Sequence, residues 1–496
     1  MSCSTKLPSN TVRWHGRAMA CLALAALLGP DPVRAQGLAT APVGTGDASA
    51  ATVDPTAVHF NPAMTAYAND GGHIFLGGNL VFGRIRYQRE YRGTYQRSDS
   101  LDFALPVDPS AIDQGRTGRA EAVEARPIAL APSAFVTLPL GDSGLVAGFG
   151  AYAPYAAVID FDDDGPQRFQ LQQATIATVF FTPTLAYRFH DAFTLGAGVS
   201  YVLGFAELSR VQDFATVSDV AQALANPPIA QANDFGPNAP VGVRELDVMA
   251  RRIVLRRGFA HAITFNVGIG SEPVEGLRLG LTYQHSAPMD FRGRFELDMD
   301  DDFFTQDLAS QGLAYQPRVR GDAVLSFPLP RSLRFAASYD VSDRVGLGVD
   351  VAYTFWSMVE DFKVTLRSPD LAQPEVGIPD TTTVRLPRRW RNTLGLDGIL
   401  RWAPRPDLRF WLRGGYRQAA SPDSTIDAAS PDGDRLVGGL GGAYRVSGNV
   451  SLLVDLGVQH VLERHVVGSD FDLANGTYNM TLVHGGLSLL VDLSPR

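Results

Sequence analysis

The sequence predicts a transmembrane antiparallel β-barrel of about fourteen strands, and three observations carry that prediction. Many segments alternate greasy and polar or tiny residues with a period of two. The links between them alternate strictly between short and long. No apolar run of about eighteen residues lies beyond the N-terminus, which excludes a helical membrane bundle although 45% of the chain is hydrophobic. The 49 Gly, 27 Phe and 15 Tyr suit a sheet protein with tight turns.

Residues 1–35 read as an export signal. Arg13 and Arg17 supply the positive region, residues 18–28 a short apolar core, and Val33-Arg34-Ala35 the small residues that a peptidase reads. Both cysteines, Cys3 and Cys21, fall in this segment, so the expected mature chain has no thiol chemistry, disulfide or Cys-ligated zinc.

Residues 36–72 lack either periodicity. The run Gly44-Thr45-Gly46-Asp47-Ala48-Ser49-Ala50-Ala51 is small and polar, and Asp54-Pro55 and Asn61-Pro62-Ala63 follow it. Residues before proline avoid helix geometry. Composition leaves two readings open, a plug packed inside the barrel and a flexible periplasmic tail.

Residues 73–496 supply the barrel. Val345, Leu347, Val349, Val351 and Tyr353 alternate with Gly346, Gly348, Asp350, Ala352 and Thr354. The runs from Phe193 to Tyr201, Val450 to Val458, and Leu408 to Tyr416 do the same. Successive side chains of a strand point to opposite faces, so one face is greasy throughout. A soluble sandwich alternates too, but it has no reason to sort its loops. Here tight links near 141–143, 190–191, 271–274, 342–343, 404–406 and 447–448 interleave with long ones near 93–126, 161–168, 213–250, 299–318, 366–384, 419–434 and 466–477. Short periplasmic turns and long extracellular loops produce that pattern. The strands fall near 73–92, 127–140, 144–160, 169–189, 192–212, 251–270, 275–297, 319–340, 344–365, 385–403, 407–418, 435–446, 449–465 and 478–493. Tyr283, Tyr339, Tyr353 and Trp356 are expected at the membrane interfaces.

A formal net charge of −9 argues against a nucleic-acid partner. The acidic clusters at 162–164 and 298–302 lack the ligand spacing of a calcium loop and read as solvated loop tips. No Gly-x-Ser-x-Gly elbow or paired base and nucleophile suggests an enzyme, and no cofactor motif is present.

Several segments, in order, resemble the FadL-type outer-membrane transporters. Asp54 with Phe60-Asn61-Pro62-Ala63-Met64 is similar to their hatch motif. Ala352-Tyr353-Thr354-Phe355-Trp356-Ser357 and Trp390-Arg391-Asn392-Thr393-Leu394-Gly395 resemble two of their strands. Ala420-Ser421-Pro422-Asp423 with Pro431-Asp432-Gly433-Asp434-Arg435 resembles one of their loops. The chain departs from the family in its last strand, which ends Leu493-Ser494-Pro495-Arg496 without a terminal aromatic, and in its third, which carries Tyr152-Ala153-Pro154-Tyr155 in place of a glycine-containing kink.

The resemblance implies an outer-membrane protein, inserted by the barrel assembly machinery among outer-membrane lipids. It would take up hydrophobic small molecules, fatty acids or hydrocarbons, past a hatch containing Asn61, Pro62 and Ala63. Arg210, lumenal by the phase of its strand, and Lys363 match basic residues of the family and are the candidate ligand-binding cations. Strict alternation from Val345 faces Lys363 outward, so its role requires a bulge or the strand's extension. Apolar spacing in two long loops (Val217, Val220, Ala221 and Leu224; Phe304, Leu308 and Leu313) suggests either internal packing or a capture groove. Ala153, Pro154 and Ala156 mark a lateral exit, because proline donates no ladder hydrogen bond. Two further readings are a general solute porin, for which Arg409, Arg413 and Arg417 speak, and a lipid-modifying enzyme.

Overall fold

Lipid offers no partner to a backbone N–H or C=O, so a sheet can cross it only by closing on itself. The structure, a computed structural model, describes residues 43–68, 71–94, 112–190, 192–213, 245, 247–311, 314–372, 374, 379–428, 430–469 and 472–493. The expected signal segment 1–35, Val217, Val220, Ala221, Leu224 and Leu313 lie outside them.

Fourteen antiparallel wall strands close into a ring. Strands 1 to 6 are His73–Thr94, Ile128–Pro139, Leu145–Asp160, Gln173–His190, Phe193–Asp213 and Ala250–Val274. Strands 7 to 10 are each made of two pieces: Leu277–Gln284 and Ala287–Asp298, Arg318–Leu329 and Ser332–Ser342, Val345–Thr354 and Asp361–Arg367, Thr381–Pro387 and Thr393–Arg405. Strands 11 to 14 are Leu408–Arg417, Arg435–Ser447, Val450–Val466 and Gly476–Asp492. Strand 1 pairs with strand 14 from His73↔Asp492 to Arg89↔Gly476 and with strand 2 from His73↔Thr137 to Phe82↔Ile128, which completes the closure.

The greasy faces look outward. Leu347, Val349, Tyr201 and Leu412 are exposed, and Leu456 is 55% exposed. Asp350, between Val349 and Val351, is 1% exposed, so the opposite face is interior. Strand 6 has 25 residues. At about 3.3 Å per residue and a tilt near 40°, its wall rises well beyond a hydrocarbon core of ~30 Å. The excess stands at the long-loop end.

Two expectations need correction. The connection placed at 93–126 contains a strand, Ile112–Arg119, that pairs with the top of strand 1 through Glu90↔Arg119. Above the membrane neither face needs grease, so the period-two signal vanishes there. Trp356 is not at an interface. Strand 9 stops at Thr354, a 3₁₀ turn covers Trp356–Met358, and the indole packs edge-on against Trp390 at 5.4 Å. Tyr339 and Tyr353 do face outward.

The segment 43–68 reaches many sides of the ring, near the short-turn end. It forms a short helix, Ala57–Phe60, and a 3₁₀ helix, Pro62–Tyr67. Asn61 starts the second by accepting the Ala63 N–H at 3.2 Å, and Pro62 suits the first helical position because no N–H is needed there. The Asn61 amide donates to the carbonyls of Ala50 (2.9 Å) and Ile269 (3.0 Å), and Asn266 donates to the carbonyl of Val58 (3.1 Å). Lumenal glycines of strands 6 and 7 make room: a Cβ at Gly268 would overlap the Asn61 side chain, and one at Gly280 the Ala50 carbonyl.

Two outcomes follow. Leu456→Arg puts a cation on the lipid face near mid-strand and should lower folding stability in bilayer vesicles by about 2–4 kcal/mol, read from denaturant unfolding. Gly280→Val should dislodge the segment while leaving the wall intact, giving higher steady conductance in single-channel recordings.

Candidate functional site

Near the short-turn end the interior is a charged shelf that holds the N-terminal segment. Asp455 accepts the Gly46 N–H (2.7 Å) and the Trp411 indole N–H (2.8 Å). Asp350 accepts the Ala50 N–H at 3.0 Å. Arg401 donates to the Asp47 carboxylate at 3.0 Å, and Arg413 donates to the carbonyls of Gly46 (3.2 Å) and Ala48 (2.9 Å). Arg413 and Arg417 also share the buried Asp397, each at 2.9 Å. The small, polar composition of residues 44–51 is explained by this fit: bare backbone is laid against side chains of strands 9, 10, 11 and 13. Arg413 and Arg417 are thus consumed by carboxylate and carbonyl partners, and Arg409 lies 5.7 Å from the Trp411 ring, which removes the main support for an open polar pore.

Above the shelf the interior is aromatic. One run of rings starts on the N-terminal segment: His59 to Tyr152 (4.7 Å), Tyr152 to Phe135 (5.3 Å) and Tyr152 to Phe180 (5.7 Å). Burial, followed by the nearby Arg334 cation, pushes the His59 pKa down to about 3, so the imidazole is neutral and offers no charge to an anion. A second run lines strands 7 to 10, from Phe291 to Phe327 (5.3 Å), Phe362 (5.1 Å), Trp390 (5.5 Å) and Trp356 (5.4 Å). Offset and edge-on pairs at these distances hold a rigid apolar surface.

Four guanidinium groups among the described residues are buried near the long-loop end: Arg89, which pairs with Glu245 at 2.6 Å, Arg435, which pairs with Asp432 at 3.4 Å, Arg210 and Arg388. Arg210 donates to Gln212 at 3.0 Å and reaches the Phe169 carbonyl at 3.5 Å. Arg210 is buried, as are its strand neighbours Ser209 and Val211 on either side. Arg388, which sequence reasoning missed, is fully buried. One of its nitrogens binds Asp427 at 3.0 Å, its charge lies 4.6 Å from the Phe362 ring centre, and its Nε and Nη2 have no partner among the described residues. Strand phase could not reveal it, because it follows Pro387 in the break between the two pieces of strand 10. Lys363 is exposed between buried Phe362 and Val364, so the interruption of strand 9 leaves its phase unchanged and its ammonium outside the lumen.

The wall is incomplete beside the first aromatic run. The ladder between strands 2 and 3 runs from Pro139↔Val146 to Ser133↔Tyr152 and stops. Above it, residues 128–132 pair with strand 1 and residues 155–160 with strand 4, and a register slip between Tyr152 and Tyr155 brackets Ala153 and Pro154. Pro132 and Pro154 cannot donate across the seam, and their neighbours Leu130, Ala131, Ala153 and Ala157 are apolar. A cavity of about 30 Å³ remains higher in the seam, bounded by Ala129, Ala157, Val158, Met480 and Pro431 among others. That is room for one water, so the gap is closed to a ligand in this structure. Phe304 and Leu308 are buried in the interior cluster, which is the packing alternative for that loop.

The sequence signature of the family described as outer membrane protein transport protein (OMPP1/FadL/TodX) matches residues 17–484. The long-chain fatty acid transport protein of Escherichia coli (strain K12) is 24% identical over 399 residues, 73% of this chain and 83% of that protein. Among solved structures, a Pseudomonas aeruginosa FadL homologue aligns with a TM-score of 0.69 at 20% identity, covering 92% of this chain and 99% of its own. The Pseudomonas putida toluene transporter TodX aligns with a TM-score of 0.61 at 15% identity, covering 92% and 95%. These two share the fold. The signature spans nearly the whole chain, and the protein therefore belongs to the OMPP1/FadL/TodX family, outer-membrane transporters of hydrophobic compounds and not enzymes.

Proposed function

We propose that this protein passively takes up long-chain fatty acids, with a buried arginine receiving the carboxylate. The observation that carries this reading is Arg388, a guanidinium fully buried against Phe362 with two nitrogens unpartnered among the described residues. A carboxylate is a planar anion whose two oxygens suit that fork. Arg210 is the second candidate, across the lumen on strand 5. Lys363, on the outer face, has no part in this pocket.

The acyl chain would lie along the aromatic runs. At roughly 0.8 kcal/mol per buried CH₂, a long chain gains on the order of ten kcal/mol as an upper bound, so binding is easy and release is the obstacle. Release is assigned to the N-terminal segment, residues 36–72, acting as a hatch ahead of the barrel at 73–496. His59 contacts Tyr152 at the edge of the unladdered seam, so a shift around Asn61, Pro62 and Ala63 is transmitted to the wall at that point. The ligand then leaves sideways between strands 2 and 3 through Ala153, Pro154 and Ala156, into lipid. Residues 1–35 direct export and the barrel assembly machinery inserts the chain. Capture at the surface falls to the long loops.

Arg388→Gln combined with Asp427→Asn, which leaves no buried carboxylate stranded, should weaken palmitate binding about tenfold or more, the worth of a charge-assisted hydrogen bond. Hexadecane binding should be unchanged. Equal losses for both ligands, by titration of the detergent-solubilised protein, would reject the carboxylate role. Ala153→Trp with Ala156→Trp should cut palmitate uptake by cells about tenfold, a barrier increase of ~1.4 kcal/mol, without changing the amount of folded barrel. Undiminished uptake would place the exit elsewhere.

A further inference from the structure

We infer that the outer wall of strands 6 and 7 carries a binding site for the phosphate groups of a phosphorylated lipid in the outer leaflet. Four arginines make it: Arg256 and Arg257 on strand 6, and Arg292 and Arg294 on strand 7, all exposed. None has a carboxylate within 4 Å among the described residues. Nearby arginines on the same outer wall do: Arg320 with Glu296 at 2.8 Å, Arg385 with Asp361 at 3.6 Å and Arg367 with Asp380 at 3.9 Å.

The backbone is distorted in a way that gathers these charges. Arg257 has a φ of +53°, a left-handed conformation that a non-glycine residue adopts at a cost. The strand bulges there, and register slips flank it on both sides, between Ala206 and Leu208 and between Arg292 and Arg294. The extra residue breaks the in-and-out alternation, so that consecutive Arg256 and Arg257 are both exposed between buried Leu255 and Gly258. Arg256 is also the direct register partner of Arg294. Like charges opposite each other across a ladder repel unless an anion bridges them. Four carboxylates share the face, and one of them, Glu296, is taken by Arg320 at 2.8 Å. Glu207 is occupied with the Arg257 backbone N–H (3.1 Å), Asp290 accepts the Ser326 hydroxyl, and Asp322 faces Arg294 in register without forming an ion pair within 4 Å. Positive charge remains in excess, on a chain whose net charge is −9.

Position selects the anion. Phe259 lies two residues below Arg257 on the same strand, and Ile263 beneath it is 71% exposed on the lipid face. The guanidinium groups therefore begin within about 7 Å of the greasy belt at the long-loop end, at head-group depth. A phosphate held by the forks of Arg256 and Arg294 would have its acyl chains already against Phe259 and Ile263. Lys363 stands at the flank of this face, two strands away through Ser326.

The test compares retention of a bis-phosphorylated lipid A and its dephosphorylated form by the full-length protein in detergent, read by native mass spectrometry. The wild type should keep the phosphorylated form at least about tenfold better, a preference that the quadruple variant Arg256→Gln/Arg257→Gln/Arg292→Gln/Arg294→Gln abolishes. Equal retention of the two lipids by the wild type, or an undiminished preference in the variant, overturns the site. Displacement by equimolar inorganic phosphate overturns the lipid assignment in favour of a free-anion site. Should the quadruple variant not fold, as judged by heat-modified gel mobility, Arg294→Gln decides alone. It should raise the thermal midpoint in lipid-free detergent by relieving the like-charge pair, and lose the wild type's gain on adding phosphorylated lipid A. A lower midpoint without lipid, or an undiminished gain with it, overturns the proposal.

Discussion

Hydrocarbon cannot satisfy a backbone amide, and every other feature of this protein is arranged around that fact. The seventeen register pairs joining strand 1 to strand 14 exist because an unpaired edge in lipid would cost several kcal/mol at each group. Departures occur where the cost is avoided. The ladder between strands 2 and 3 ends among prolines, which have no N–H to strand. The breaks in strands 8, 9 and 10 likewise fall at Pro330, at a 3₁₀ turn and just after Pro387. Regular closure and tolerated gaps are one rule seen at different residues.

The interior divides by chemistry. Near the short turns, carboxylates and guanidinium groups grip bare backbone of the N-terminal segment, with each buried charge facing an opposite charge or a hydrogen-bonding partner. Above, aromatic rings pack along the inner wall.

Much of this was legible in the residues. The fourteen strands could be read because the membrane imposes one greasy face on each, and the segment 36–72 stood out because it lacks that face. Legibility failed wherever the membrane's demand lapses. The strand Ile112–Arg119 rises above the lipid and has no apolar alternation. Trp356 and Arg388 sit in breaks between strand pieces, where parity cannot be counted through. Lys363 was tied to a ligand role by resemblance alone, and simple alternation from Val345 already pointed it outward. Arg257 escaped notice because only a backbone twist, invisible in composition, turns it beside Arg256.

The N-terminal segment is on a short leash. Its last turn ends at Tyr67 and strand 1 begins at His73, so few residues join a helix in the lumen to a fixed stave of the wall. At no more than ~3.6 Å for each residue, that tether is far shorter than the barrel is tall. The segment therefore cannot be expelled as a body while its downstream end stays anchored. Any displacement of this segment would be confined to pivoting or local unravelling about that tether, and the wall beside strand 1 would feel the tug first.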